Sequence, residues 1–315
     1  MSHPLFRFGL LLTVATLTIS PIQAQVTPGT GLRLVYDDFE DENWSFVHNF
    51  PKSSEEQDGQ QRYPAGYSTN GKFGEGLKRG QPDLIKRVAT PPGGPAGSLG
   101  SLMLRSRDTG IPNRPAYKTN QDDFVFNSSS HAGTIPVYRS PSCVVRVYLP
   151  PFDQWDNKTG TTFGFRGDVQ TTKEEQKVKK FLFFKRKKTV KETELYWPGM
   201  FIQFNSKTDP QYNFDSAVII IRGDETGEDF VGPQIKQIGW WTLGMSFTPD
   251  GRVHYYASPG VDPLRPSDRI ASKHPYGYKC EQFNTCFFNI TSRDDNRTWS
   301  TPWIIDDVAV YALRR

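Results

Sequence analysis

Cysteine is scarce. There are three in 315 residues, with no C-x-x-C spacing and no histidine cluster beside any of them. That excludes a structural zinc site, which needs about four grouped sulfur or nitrogen ligands. Long apolar runs are missing as well. The one candidate, residues 8–19, spans about a dozen positions, short of the roughly 20 that cross a bilayer. With Arg7 before it and Pro21-Ile22-Gln23-Ala24 behind it, the run reads instead as a secretory signal cleaved after Ala24. No cysteine sits at that point, which argues against a lipid-anchored form. No amphipathic helix of useful length is legible, and no internal repeat.

What is present points to strands. Aromatics make up 13%, beside 27 Gly and 24 Pro, a mixture suited to short strands joined by turns. Residues 25–315 suit one large β domain. The net charge of +4 is a local feature: residues 173–191 hold nine Lys or Arg against two Glu, so the remainder is acidic. Residues 49–100 are rich in Gly, Pro, Ser and charge, which predicts a long loop region laid over a sheet.

Strand-like runs follow with turn signals between them: 101–107, 123–127, 143–149, 161–167, 199–205, 216–223, 240–248, 253–258, 286–291 and 303–311. Most alternate with period two. "TPDGR" (248–252) is a hairpin turn with Asp-Gly at its tip. This predicts an all-β protein, a two-sheet antiparallel β-sandwich of jelly-roll type with long loops. In the oxidising compartment that a signal implies, Cys280 and Cys286 are expected to form a disulfide, and Cys143 to remain a buried thiol.

The opening "DDFED…W" (37–44), the hairpin "WWTLGMSFTPDGRVHYYASPG" (240–260) and the terminal "WIIDDVAVY" (303–311) resemble the concanavalin A-like lectin/glucanase sandwiches. The resemblance covers both ends of the chain and implies that its first and last strands pair. That superfamily holds lectins, hydrolases, lyases and adaptors, so it implies no single activity. Several jelly-roll carbohydrate-binding modules place a structural calcium at matching positions. Carried over, the resemblance implies metal ligands at Glu40 and Asp307, with Asp38 and Asp41 as helpers. Strand geometry adds a reason. Neighbours in a strand face opposite ways, so one of Asp306 and Asp307 would lie on an apolar face. A buried carboxylate needs a partner, and calcium, which takes oxygen ligands, could supply one.

The one-faced E-x-D-x-x-E strand of the superfamily's glucanases is absent. A lyase would need a Tyr, His, Lys or Arg set in a cleft; His254 and Tyr256 alternate on one face of their strand. Trp155 and Trp197, which lie in or beside loops, are with His254 and Tyr256 the candidate glycan-binding side chains. Lys185, Arg186, Lys187 and Lys188, in a basic hairpin over 173–193, are candidates for a polyanion. Arg-Gly-Asp occurs twice, at 166–168 and 222–224, each time at a strand end, where a strand and turn produce it by chance. The leading expectation is a secreted, non-catalytic protein that binds a polysaccharide or cell-surface glycan. The alternatives are an extracellular polysaccharide lyase or hydrolase working on the concave sheet, and a structural envelope protein. Nucleic acid is not an expected partner.

Overall fold

The computed structural model describes residues 26–181 and 184–314, with side chains described outside 176–188. The segment expected to be a signal and the side chains of Lys185, Arg186, Lys187 and Lys188 therefore lie outside the described part. No helix among the described residues is long and apolar enough to cross a membrane.

Among the described residues there are nineteen strands. They are β1 (Leu32–Asp37), β2 (Phe46–Val47), β3 (Tyr67–Ser68), β4 (Phe73–Glu75), β5 (Leu84–Ala89), β6 (Gly100–Arg105), β7 (Asn120–Phe126), β8 (Ile135–Pro136), β9 (Ser142–Leu149) and β10 (Thr162–Phe181). There follow β11 (Phe184–Tyr196), β12 (Gly199–Asn205), β13 (Ser216–Arg222), β14 (Asp229–Ile235), β15 (Gly239–Phe247), β16 (Val253–Pro259), β17 (Arg269–Lys273), β18 (Gln282–Ser292) and β19 (Trp303–Ala312). The first sheet runs β17-β16-β15-β9-β19-β6-β5, with β1 on β19. The second runs β14-β13-β12-β10-β18-β7-β4-β3-β2, with β11 on β10 and β8 on β18. This is the two-sheet antiparallel sandwich that the residue pattern and the resemblance imply.

Alternation builds the core. Val145, Val147 and Leu149 of β9 and Leu243, Met245 and Phe247 of β15 meet Met200, Ile202 and Phe204 of β12 and Phe288 and Ile290 of β18. Intervening residues face outward. The 49–100 stretch departs from expectation. It contributes β3 and β4 to the second sheet and β5 to the first: β3 pairs with β2 and β4, β4 also with β7, and β5 with β6, through runs too short to stand out from their Gly- and Pro-rich surroundings. The basic segment does form a hairpin. Beyond Gln170, β10 leaves β12 and β18 and pairs only with β11, as far as Phe181 opposite Phe184.

The terminal strands pair as implied, with Asp37 opposite Val308. The acids in "WIIDDVAVY" do not split between two faces. Trp303 and Ile305 point into the core, and so do Val308, Val310 and Ala312. The phase therefore slips by one residue at the acid pair. A register shift between Asp306 and Ala309 and the positive φ of Asp307 (47°) mark this β-bulge. Both acids leave the core face. Asp306 is fully buried beside it, and its carboxylate accepts bonds from Ser98 Oγ (2.8 Å), Ser101 Oγ (2.9 Å) and the Asp307 amide (2.8 Å).

Burial raises the Asp306 pKa to about 6, above the unfolded value of about 3.9. The folded chain thus binds the proton more tightly than the unfolded one. Its stability falls as pH rises through that interval and is greatest below it. Asp306→Asn, neutral and of the same shape, should raise stability at pH 7 by about 1–3 kcal/mol. Melting curves across pH check this: the gap between variant and wild type should close below about pH 4. A gap that persists there would show that ionisation is not the cause.

The expected Cys280–Cys286 disulfide is not formed: all three cysteines are free and buried. Cys280 precedes β18 and Cys286 lies inside it. From Gln282 to Cys286 the chain is an extended strand, and four steps at about 3.3 Å carry it roughly 13 Å, well past the 7 Å that a disulfide spans between Cα atoms.

Candidate functional site

The outward face of the second sheet is a groove. It grows from the same alternation that builds the core. Arg166 lies between core residues Phe165 and the Val169 side of β10, Phe201 between Met200 and Ile202 on β12, Arg222 beside Ile221 on β13, and Asn289 between Phe288 and Ile290 on β18. Cavities of about 340, 230, 220 and 370 Å³ share residues end to end along this face, from Val125 on β7 to Val231 on β14.

One wall comes from the 49–80 segment. Its anchor is Lys52, whose Nζ bonds Asp122 Oδ2 (2.7 Å), Asp83 Oδ1 (3.0 Å) and the Gln81 carbonyl (3.1 Å) while only 2% exposed. Burial alone would lower the pKa of this ammonium; the two carboxylates hold it above its ordinary value. Gly76 and Gly80 close the turn that follows. A Cβ at Gly76 would stand 2.5 Å from Asp123 Cβ, and one at Gly80, where φ is +83°, would stand 2.7 Å from the Lys52 chain. The turn thus lies tight on β7 and delivers Lys78 and Arg79 to the groove. Arg79 pairs with Glu56 (2.7 Å) and Asp123 (3.3 Å). Lys78 Nζ stands 4.2 Å above the Trp197 ring, whose Nε1 donates to Asp168 Oδ2 (3.1 Å).

Arg166 is the unusual group. It is 3% exposed, yet its guanidinium donates only to the Trp197 carbonyl, from Nε (3.2 Å) and Nη2 (2.8 Å). Among the described residues no carboxylate lies within ion-pair distance of it. It sits over Phe287 (5.3 Å) and Phe201 (5.7 Å). Burial, then the like charge of Arg222, lower its pKa to about 10, against the raising pull of Asp123 and Tyr276. Arg222, also over Phe201 (5.1 Å), is held by both oxygens of Asp229 (2.8 and 2.9 Å). Phe201 can lie flat beneath both because Gly164 leaves room: a Cβ there would stand 2.8 Å from its ring.

Tyr276 closes the groove beside the two arginines and lines the 230 Å³ cavity with them. It is a non-glycine residue in the left-handed region (φ 61°, ψ 16°), a conformation that costs about 1–3 kcal/mol and clusters at functional sites. The Tyr276 amide donates to the Asp224 carbonyl (2.8 Å), and its ring packs against Tyr196 and Gly227. The cavity presents Lys78, Arg79, Arg166 and Arg222 against two carboxylates, Glu56 and Asp123. Gln121, Gln203 and Asn120 add neutral amides in the adjoining 340 Å³ cavity; behind them the buried Asn289 amide nitrogen donates to Asp123 Oδ1 (2.6 Å). The arrangement suits an extended, negatively charged ligand with hydroxyl groups.

Of the side chains expected to bind glycan, only Trp197 lies here. Trp155 is core: 4% exposed, its ring 4.8 Å from Trp303, its Nε1 bonded to the Pro150 carbonyl (2.7 Å). His254 and Tyr256 belong to the first sheet, whose outer face is covered. At Gly244, opposite Tyr256, a Cβ would stand 2.5 Å from Leu264 and 2.8 Å from Pro28. His254 is buried against Thr248 Oγ1 (2.9 Å), and that burial lowers its pKa to about 4.

The acids implied to hold calcium do approach one another but are engaged by protein donors. Asp307 Oδ2 pairs with Arg146 Nη1 (2.7 Å). Glu40 Oε1 accepts the amides of Leu99 (2.9 Å) and Gly100 (3.1 Å), and Asp38 Oδ1 that of Glu40 (3.4 Å). Asp41 Oδ1 accepts the Asn43 amide (2.9 Å). Among the described residues no three His, Cys, Asp or Glu side chains are placed to hold a metal. These carboxylates do not fit a calcium cage; the cation at the clasp is Arg146.

The arginines that define the groove carried one sequence signal, which chance explained equally well. Arg166 and Arg222 are the first residues of the two Arg-Gly-Asp triplets. Nothing local marked Arg79 or Tyr276.

No protein-family model matches the chain, and no curated protein matches it in sequence. Among solved structures it is similar to an endo-β-1,4-glucuronan lyase from the fungus Trichoderma reesei, at 8% identity over 90% of this chain and 96% of that one, with a TM-score of 0.41. It is also similar to the lectin UEA-II complexed with galactose (10% identity, 90% and 100% covered, TM-score 0.37). A third is a family 7 alginate lyase complexed with product (7%, 71% and 84%, 0.35). Likenesses of this size assign neither ligand nor reaction to this chain.

Proposed function

We propose that this protein binds an acidic polysaccharide, a chain of uronate sugars, along the groove of the second sheet. The observation that carries the reading is Arg166: a buried guanidinium with a carbonyl partner and no carboxylate, at the centre of four cations. A planar fork of this kind takes a carboxylate through two parallel bonds. Trp197 and the glutamine and asparagine amides suit the sugar rings and hydroxyls between the charges. The continuity of the groove favours an internal segment of polymer over a chain end. The N-terminal signal, if used, would deliver the protein to where such polymers are met. The basic ribbon of β10 and β11 would add long-range attraction.

A second reading is favoured by Tyr276. A uronate whose carboxylate is neutralised by Arg166 has an acidified hydrogen at C5. A tyrosine beside it could take that proton as C4=C5 forms and return a proton to the departing O4, which is β-elimination. Both readings are tested together. The protein is run in affinity gels containing polyglucuronate, polymannuronate, polygalacturonate or neutral cellulose ether, at low and high salt. Parallel samples are followed for the absorbance of new unsaturated ends. Retention by at least one polyuronate, weakened by salt and absent with the neutral polymer, is expected. If cleavage occurs, Tyr276→Phe should abolish it and keep retention. No retention by any polyuronate at low salt would overturn the proposal.

A further inference from the structure

Two of the three free cysteines face each other across the sandwich. Cys143 lies on β9 of the first sheet, between Met245 of β15 and Val310 of β19 in register. Cys286 lies on β18 of the second, between Gly167 of β10 and Phe126 of β7. Both are 0% exposed and belong to the core. A contact between their neighbours shows the two sheets closing on each other beside this pair. Phe247, two residues along β15 from the Met245 beside Cys143, reaches across until a Cβ on Gly167, beside Cys286, would stand 2.9 Å from its ring. Burial, then interaction with the Cys286 thiol, raises the Cys143 pKa well above its ordinary value. Gly167 has no side chain to hold the sheets apart at this point.

We propose that Cys143 and Cys286 form an inter-sheet disulfide when the chain folds under oxidising conditions. The two Sγ–H groups lose two protons and two electrons as one S–S bond forms. The electrons reduce a small-molecule or protein disulfide, which leaves as two thiols. Exchange must come before the sheets close, because neither sulfur is reachable afterwards. Reduced protein that is already folded should therefore resist oxidation. Cys280 takes no part: its Sγ contacts the Gln282 carbonyl (3.6 Å), and burial pushes its pKa up to about 12. The bond would tie the two halves of the core through the longest loop that the three cysteines allow, where constraint of the unfolded state is greatest among their pairings.

The test refolds the full chain from denaturant in reduced and oxidised glutathione, or with excess reductant. Thiols are then titrated under denaturing conditions and peptides mapped by mass. After oxidative refolding one titratable thiol, Cys280, and a 143–286 linked peptide are expected, with Tm ~5–10 °C above the reduced form. Cys280→Ser should keep both the link and the Tm difference, and this variant leaves the pair itself untouched. Three free thiols after oxidative refolding, or a link through Cys280, would overturn the proposal.

Discussion

Arg166→Met should abolish retention by polyuronate while leaving Tm unchanged or higher. The two halves of this outcome share one cause. A buried guanidinium without a carboxylate costs desolvation energy that the Trp197 carbonyl offsets only in part. Methionine fills similar space between Phe201 and Phe287 without that cost. The ligand's carboxylate would complete the missing pair, so losing the arginine removes about 2–5 kcal/mol of binding. That corresponds to roughly 30-fold to several-thousand-fold in Kd. Arg166→Lys keeps the charge but loses the fork, and should fall between. Affinity electrophoresis with thermal melting of the same samples reads both halves. Wild-type retention by Arg166→Met would remove Arg166 from the site. A large drop in Tm would mean that the arginine holds the fold and not a ligand.

Lys52→Ala should be among the most destabilising single changes in the molecule, at about 3–5 kcal/mol. It leaves Asp122 at 0% and Asp83 at 11% side-chain exposure without their cation. Urea denaturation of Lys52→Ala, Asp122→Asn and the double variant measures the coupling. The double variant should recover part of the loss, since it removes one stranded charge. Additive losses would show that Lys52 acts through packing alone. The change also bears on the groove. Lys52 underlies the Gly80 end of the turn that carries Lys78 and Arg79, so polyuronate binding should weaken with stability. Lys78→Ala, which leaves that anchor in place, should weaken binding without the loss of stability.

Two middle strands and the closing strand illustrate how far the residues alone could lead. "GMFIQFN" and "SAVIIIRG" alternate cleanly, and β12 and β13 begin where the pattern begins. Strand identity is local: period two and turn residues report it within a few positions. In "WIIDDVAVY" the pattern slips by one, and only pairing with β9 on one side and β1 on the other reveals the bulge that turns both acids off the core. The spacing of Cys280 and Cys286 suggested a disulfide. Strand extension separates them, and the opposite sheet brings Cys143 to Cys286 instead.

The sequence by itself determined that this is a two-sheet all-β protein with paired terminal strands and a projecting basic hairpin. The strands and the hairpin rest on short-range periodicity, turn chemistry and charge; the pairing of the terminal strands was implied by the resemblance of both chain ends to the concanavalin A-like sandwiches. Only the tertiary structure decided where a ligand could bind. His254 and Tyr256 alternate with core residues along their strand as Arg166 and Arg222 do along theirs. Whether an outward face is covered, as the first sheet is by Pro28 and Leu264, or open, as the second is above Phe201, depends on segments distant in the chain. Burial is set by what lands on a face, and no local pattern encodes that.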